Sequence, residues 1–168
     1  AYAPRTPHKP CALEYEDVSL DIAELSKITT RVRNYAVHCN QAEYIIRAII
    51  EKNLNMSLAL GIWIGKSRKE NMEQFRILKD VLYKYLDQNI IDSIFVGNEV
   101  LFRNDMSKAQ LIKHINQTRS FVSSLGEKGK QITVGTSELG SLVDNELAYS
   151  CDIPGVNVHP FFSGCPVE

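Results

Sequence analysis

Ser93, Ile94, Phe95, Val96 and Gly97 form an apolar, β-rich run that ends in Asn98 and Glu99 rather than in the Gly, Pro or Lys that commonly closes a strand. In parallel sheets and barrels the carboxyl ends of the strands face the crevice where ligands bind, because helices cover the surfaces below. A carboxyl placed there is partly desolvated, which raises its pKa and lets it hold a proton near neutral pH. That chemistry suits Glu99 as a general acid with Asn98 beside it. The competing reading is structural: Glu99 pairs with Arg33 or Arg103 and only stabilises the rim.

Other strand ends carry groups of a similar kind. Arg33, Asn34 and Tyr35 close one apolar run, Gly61, Ile62 and Trp63 another, and Thr136, Ser137 and Glu138 a third. Asn157, Val158, His159, Pro160 and Phe161 close the last. Aromatic, amide, carboxylate and imidazole groups on one rim suit a sugar, which offers C–H faces for stacking and hydroxyls for bidentate polar contacts. A phosphate site would carry more Gly and Lys. Trp63, the only tryptophan, lies in an apolar run and could equally fill a core. His159 could equally fix a loop by its hydrogen bonds. No metal or cofactor is expected, since further ligands at metal-site spacing and a Cys-x-x-Cys pair are both missing from the sequence.

The elements that must position these groups follow from periodicity. Ala42, Ile45, Ile46, Ile49 and Ile50 repeat at helical spacing. Asn40 with Glu43 predicts a capping box at the start of that helix. Similar stripes run through Val18, Ile22 and Leu25, through Met72, Phe75, Leu78, Leu82 and Tyr85, and through Leu111, Ile115, Thr118 and Val122, the last with a box at Ser107 and Gln110. Between them, residues 31–37, 56–64, 91–97, 132–135 and 156–161 read as strands buried on both faces, and Ala1 to Ala3 as the tail of a first strand. Six strands alternating with about five helices imply βαβ units and a parallel sheet. No glycine-rich nucleotide fingerprint is present. The expectation is an α/β fold, a (β/α)8 TIM barrel of which residues 1–168 are a single, incomplete catalytic domain covering about the first six units, since a full barrel takes about 250 residues.

Composition narrows the function. Nineteen Lys and Arg against twenty Asp and Glu leave a net charge of −1 in 168 residues, with no basic block to bind nucleic acid. No apolar run approaches the length of a membrane span. Four cysteines together with sequons at Asn55 and Asn116 favour a secreted protein, any signal peptide having been removed before Ala1.

Taken together, "RVRNYAVHCNQAE", "LALGIWI", "SIFVGNEVLFRND", "ITVGTSE" and "VNVHPFFSG" resemble glycoside hydrolase family 17, in its fungal branch of β-1,3-glucanases and β-1,3-glucanosyltransferases. The order and spacing agree over nearly the whole chain, and the G-N-E-V-L-[FY]-R segment carries most of the specificity. The resemblance implies a (β/α)8 barrel whose acid/base follows the fourth strand and whose nucleophile follows the seventh. It makes Glu99 the acid/base and Asn98 its partner on the sugar 2-hydroxyl. Arg33 and Tyr35 would orient the nucleophile and line a donor subsite. Trp63, Phe102, His159 and Phe161 would meet substrate, and Glu138 is expected to contact it too. The nucleophile would lie beyond Glu168; Glu138 and Glu168 are poorer substitutes, because a retaining pair stands about 5–5.5 Å apart. His38 stands where fungal relatives tend to carry Asp, and Phe102 where Tyr is common.

The expected partner is therefore a β-1,3-glucan oligosaccharide or polysaccharide, handled by a monomer. Cys11 and Cys39 follow neighbouring strands on one rim and are expected to bridge, whereas Cys151 and Cys165 flank one strand at opposite ends, too far apart to do so. Two alternatives remain open. One is a non-catalytic glucan-binding or cell-wall structural protein on the same barrel. The other is a metal-dependent enzyme using His159 with Glu138.

Overall fold

Isoleucine and leucine at helical spacing bury one side of each long helix, and uninterrupted apolar runs between them build a sheet that the helices cover. The computed structural model describes residues 1–4 and 11–158. Among these, α1 (Tyr15–Leu25), β1 (Arg31–Arg33), α2 (Gln41–Glu51), β2 (Ser57–Ile62), α3 (Arg68–Tyr85), β3 (Ile91–Asn98), α4 (Lys108–Ser124), the single-turn α5 (Glu127–Lys130), β4 (Thr133–Leu139), α6 (Asn145–Tyr149) and β5 (Gly155–Asn157) follow in order. The strands form one parallel sheet in the order β1-β2-β3-β4-β5.

The sheet curls. Arg33 on β1 donates from Nη1 to Ser137 Oγ on β4 at 3.1 Å. Strands of a flat sheet stand about 4.8 Å apart, which would put β1 and β4 about 14 Å apart, beyond an arginine's reach. Closure of this kind is that of a barrel wall, here half of one. One face holds Arg31, Arg33, Ser93, Phe95, Ser137 and Asn157: Arg31 donates to Ser93 Oγ, Arg33 lies over the Phe95 ring and donates to Ser137 Oγ, and Ser137 donates to Asn157. Leu58, Leu60, Ile62, Ile94 and Val134, fully or almost fully buried, pack toward the helices with Ile22, Ile45, Ile46, Leu78, Leu82, Leu111 and Ile115.

Four departures from expectation have physical causes. Ala1 to Ala3 do not form a strand: Tyr2 donates one backbone bond to Arg33 O at 2.7 Å, and Pro4 has no amide to extend a ladder. The 31–37 run is strand only to Arg33, because the buried Asn34 turns the chain by donating to Ala36 O at 2.6 Å and accepting from Gly61 N at 2.8 Å. Asn40 does not cap α2; it is left-handed with φ 59°, and Glu43 instead accepts from Lys84 Nζ at 2.7 Å. The Ser107–Gln110 box at the start of α4 is present as expected. The stripe of α3 is rotated: Met72 is 63% exposed, while Asn71 and Gln74 are buried with Leu78, Val81, Leu82 and Tyr85.

Next to the left-handed Asn40 lies a covalent tie. A disulfide joins Cys11 to Cys39 with Cα atoms 4.8 Å apart across 28 residues of sequence. Such a closure stabilises chiefly by restricting the unfolded chain. Cys39→Ser is expected to lower the unfolding free energy by about 2–4 kcal/mol, measured as a drop in the urea midpoint. An unchanged midpoint would mean that the bridge does not constrain the protein in solution. Cys151 has no disulfide partner among the described residues, and Cys165, like His159 and Phe161, lies outside them.

Candidate active site

The end of β3 is bent by design of its sequence. Gly97 has φ +79°, and a Cβ there would meet Val100 Cγ2 at 2.3 Å, so only glycine fits. The register between β3 and β4 shifts between Phe95 and Asn98. Glu99 follows with φ 55°, its amide donating to Ser137 O at 2.7 Å. A bulge of this kind re-aims side chains at a sheet end. Here it presents Asn98 and Glu99 to a cleft of about 500 Å³ that Tyr35, His38, Trp63 and Asn157 also line.

A chain of hydrogen bonds crosses the floor of that cleft. Asn98 Oδ1 accepts from Arg33 Nη2 at 2.8 Å and from Asn157 Nδ2 at 3.0 Å, which fixes the amide with its oxygen inward. Asn157 Nδ2 also donates to Glu99 Oε1 at 2.6 Å. Ser137 Oγ donates to Asn157 Oδ1 at 2.6 Å, locking the second amide the same way. Arg33 lies 4.4 Å from the Phe95 ring and 5.4 Å from Tyr35. Burial pulls its guanidinium below the ordinary arginine value, while Tyr35 and Glu99 push it back up. Its Nε is buried without a hydrogen-bond partner among the described residues.

Arg103 has a different task. Its guanidinium pairs with Asp105 at 2.7 Å, donates to Ile64 O at 2.8 Å and to Asn98 O, and lies 4.1 Å from the Trp63 ring. It ties the ends of β2 and β3 together, so its carboxylate partner is Asp105. Trp63 is 37% exposed at the rim and not part of the core.

Glu138 requires a correction. Expected to reach substrate, it is wholly shielded from solvent, turned from the cleft face toward the loop that follows Glu99. Its Oε1 accepts from the Leu101 amide at 2.8 Å and its Oε2 from Phe102 at a longer 3.4 Å. Burial pushes this carboxyl above the usual carboxylate value, against the opposing pull of those amides and of Arg103. Alternation explains the placement: Ser137 faces the cleft, so its neighbour on the strand cannot. Phe102 is 59% exposed but stands outside the cleft wall. Thus Asn98, Glu99, Tyr35 and Trp63 meet at one cleft with Arg33 beneath, whereas Phe102 and Glu138 do not.

Two contributors are named from sequence only as parts of strand ends, without roles of their own, and a third, Gln74, is not named at all. Asn157 and Ser137 sit at strand ends and carried that positional signal. Gln74 is a polar residue on the buried stripe of a helix, and a buried amide at such a place must serve a fixed partner.

A curled parallel sheet wrapped by helices, with its polar cleft at the carboxyl ends of the strands, defines the chain as part of a (β/α) barrel. The family model of the BtgE/BtgC glycoside hydrolase domain matches residues 1–168, and the chain belongs to that family, within the fungal branch of glycoside hydrolase family 17. It is 37% identical over 154 residues, 90% of its own length, to the glucan endo-1,3-beta-glucosidase btgC of Emericella nidulans, and 34% identical over 178 residues to a probable enzyme of that name from Aspergillus fumigatus. The chain spans about a quarter of the length of these curated relatives, 24% and 25%. Among solved structures it resembles a glycoside hydrolase family 17 beta-1,3-glucanosyltransferase from Rhizomucor miehei, with TM-score 0.82 and 26% identity over 98% of this chain and 57% of that one. An active-site mutant of the Rhizomucor miehei enzyme in complex with laminaritriose matches equally well. An endo-laminarinase from Formosa, at TM-score 0.76 and 19% identity, shares the fold.

Proposed function

We propose that the full protein is a retaining enzyme that cleaves or transfers β-1,3-glucan, with Glu99 as its acid/base. The observation that carries this reading is the hydrogen-bonded chain from Arg33 through Asn98 and Asn157 to Glu99, which presents one oriented carboxyl at a polar cleft. Relatives named as glucan endo-1,3-beta-glucosidases and a neighbour bound to laminaritriose support the substrate class.

In the first step a carboxylate, expected from a strand of the full protein beyond Glu168, attacks the anomeric carbon while Glu99 gives its proton to the departing oxygen. In the second, Glu99 takes a proton from the acceptor hydroxyl, which attacks the same carbon and releases the nucleophile. Asn98, with its oxygen held inward, offers Nδ2 to the sugar 2-hydroxyl. Arg33, whose buried Nε has no acceptor among the described residues, supplies a donor for the attacking carboxylate. Tyr35 and Trp63 provide flat surfaces for the pyranose rings.

The protein acts outside the cell, where the Cys11–Cys39 bridge persists and a wall polysaccharide is reached. Asn55, exposed just before β2, and Asn116, exposed on α4, are its glycan acceptors. Among the described residues no helix is long and apolar enough to cross a membrane.

Incubation of the full-length protein with a linear β-1,3-glucan oligosaccharide is expected to change its length distribution. Only shorter products identify hydrolysis, and longer ones identify transfer. An unchanged oligosaccharide would reject the enzymatic reading in favour of a glucan-binding barrel.

A further inference from the structure

Gln74 of α3 is almost wholly buried, and its side chain reaches two rim loops at once. Its Oε1 accepts from the Val37 amide at 3.1 Å and from the Trp63 amide at 3.0 Å. Both donors are backbone N–H groups, so neither can reverse its role, and the orientation of the Gln74 amide is settled. Its Nε2 then faces His38 Nδ1 at 2.9 Å. Nε2 carries only protons, so Nδ1 must supply the lone pair, and the imidazole proton is placed on Nε2. His38 itself is exposed and lines the cleft that contains Glu99. Its loop is held by the Cys11–Cys39 bridge, and the next residues, Cys39 and Asn40, have fixed left-handed backbones with φ 57° and 59°.

We infer that His38 is a specificity-determining residue of the glucan cleft, its imidazole held by Gln74 at Nδ1 so that Nε2–H donates to a hydroxyl of a bound glucosyl unit. This deepens the glucan reading and rests on it. Such a donor, oriented before the ligand arrives, loses little freedom on binding and discriminates a hydroxyl that can accept from a position where none is presented. A donor to a hydroxyl outside the bond being broken contributes equally in the ground and transition states, so the effect is expected in KM rather than kcat.

Two measurements on the full-length protein test the inference. Long-range proton–nitrogen correlation spectra of the ¹⁵N-labelled wild type near neutral pH are expected to show His38 protonated at Nε2 and bare at Nδ1. His38→Asn retains an acceptor for Gln74 but withdraws the ring donor, and is expected to raise KM for a linear β-1,3-glucan oligosaccharide about three- to tenfold with kcat changed less than about twofold. A His38 protonated at Nδ1, or a KM that does not move in the variant, overturns the inference while leaving glucan turnover intact. A wild type that does not act on the glucan overturns the underlying functional reading, and this inference with it.

Discussion

Glu99→Gln in the full-length protein is expected to cut kcat on β-1,3-glucan by about 10²–10⁴-fold while leaving glucan affinity nearly unchanged. Gln preserves the length of the side chain and the oxygen that accepts from Asn157 Nδ2 at 2.6 Å, so the cleft keeps its shape. What it removes is the transferable proton. The departing oxygen must then leave as an alkoxide, and the acceptor hydroxyl has no base. Turnover by timed product analysis and affinity by calorimetry separate the two effects. Retained turnover would remove Glu99 from the chemistry, and lost affinity with retained turnover would make it a binding group.

Glu138 gives the second large effect, on stability and on the placement of Glu99. Its carboxyl sits under the turn running from Glu99 to Arg103, which is closed by Arg103 N donating to Glu99 O at 2.9 Å. Glu138→Ala leaves the amides of Leu101 and Phe102 without their acceptor, and the loss expected is about 2–6 kcal/mol, since each buried unsatisfied group costs about 1–3 kcal/mol. Because that turn carries Glu99 at φ 55°, activity falls with it. Glu138→Gln should behave quite differently. Burial holds the native carboxyl above its ordinary value, toward its neutral form, and a glutamine oxygen can still accept from Leu101.

The pH dependence has a definite sign. A carboxyl raised on folding contributes stability below its unfolded value of 4.5, and that contribution is lost as pH rises through the raised folded value. The wild type is thus expected to lose stability relative to Glu138→Gln between acid and neutral pH. Urea unfolding of both proteins across that interval measures it. A wild type that gains on the variant as pH rises would show that the amides, not burial, govern this group.

Much of the architecture was legible because apolar periodicity is a direct record of burial. The stripes of α2 and α4, the runs that became β2 and β3, and the Ser107–Gln110 box all depend on local sequence alone. What was not legible depends on distant partners. Asn40 has the right spacing for a cap, but its backbone is left-handed beside the bridged Cys39 and Glu43 is engaged by the distant Lys84. The stripe of α3 misleads because the helix buries two amides at its start, Asn71 on both backbone groups of Gly65 and Gln74 on Val37 and Trp63. Glu138 sits at a strand end like Glu99, yet the Gly97 bulge turns one carboxyl into the cleft and strand alternation turns the other away.

Azide rescue of Glu99→Ala, assayed on a β-1,3-glucosyl oligosaccharide with a dinitrophenyl leaving group, bears most directly on the proposed acid/base. That leaving group departs without a proton, so the glycosyl-enzyme forms, and azide attacks it without needing a base. Azide is predicted to raise turnover at least about tenfold and to yield a β-configured glycosyl azide, the product of two inversions. No acceleration by azide, or a glycosyl azide of α configuration, would contradict the assignment of Glu99 as the proton donor at the mouth of the barrel.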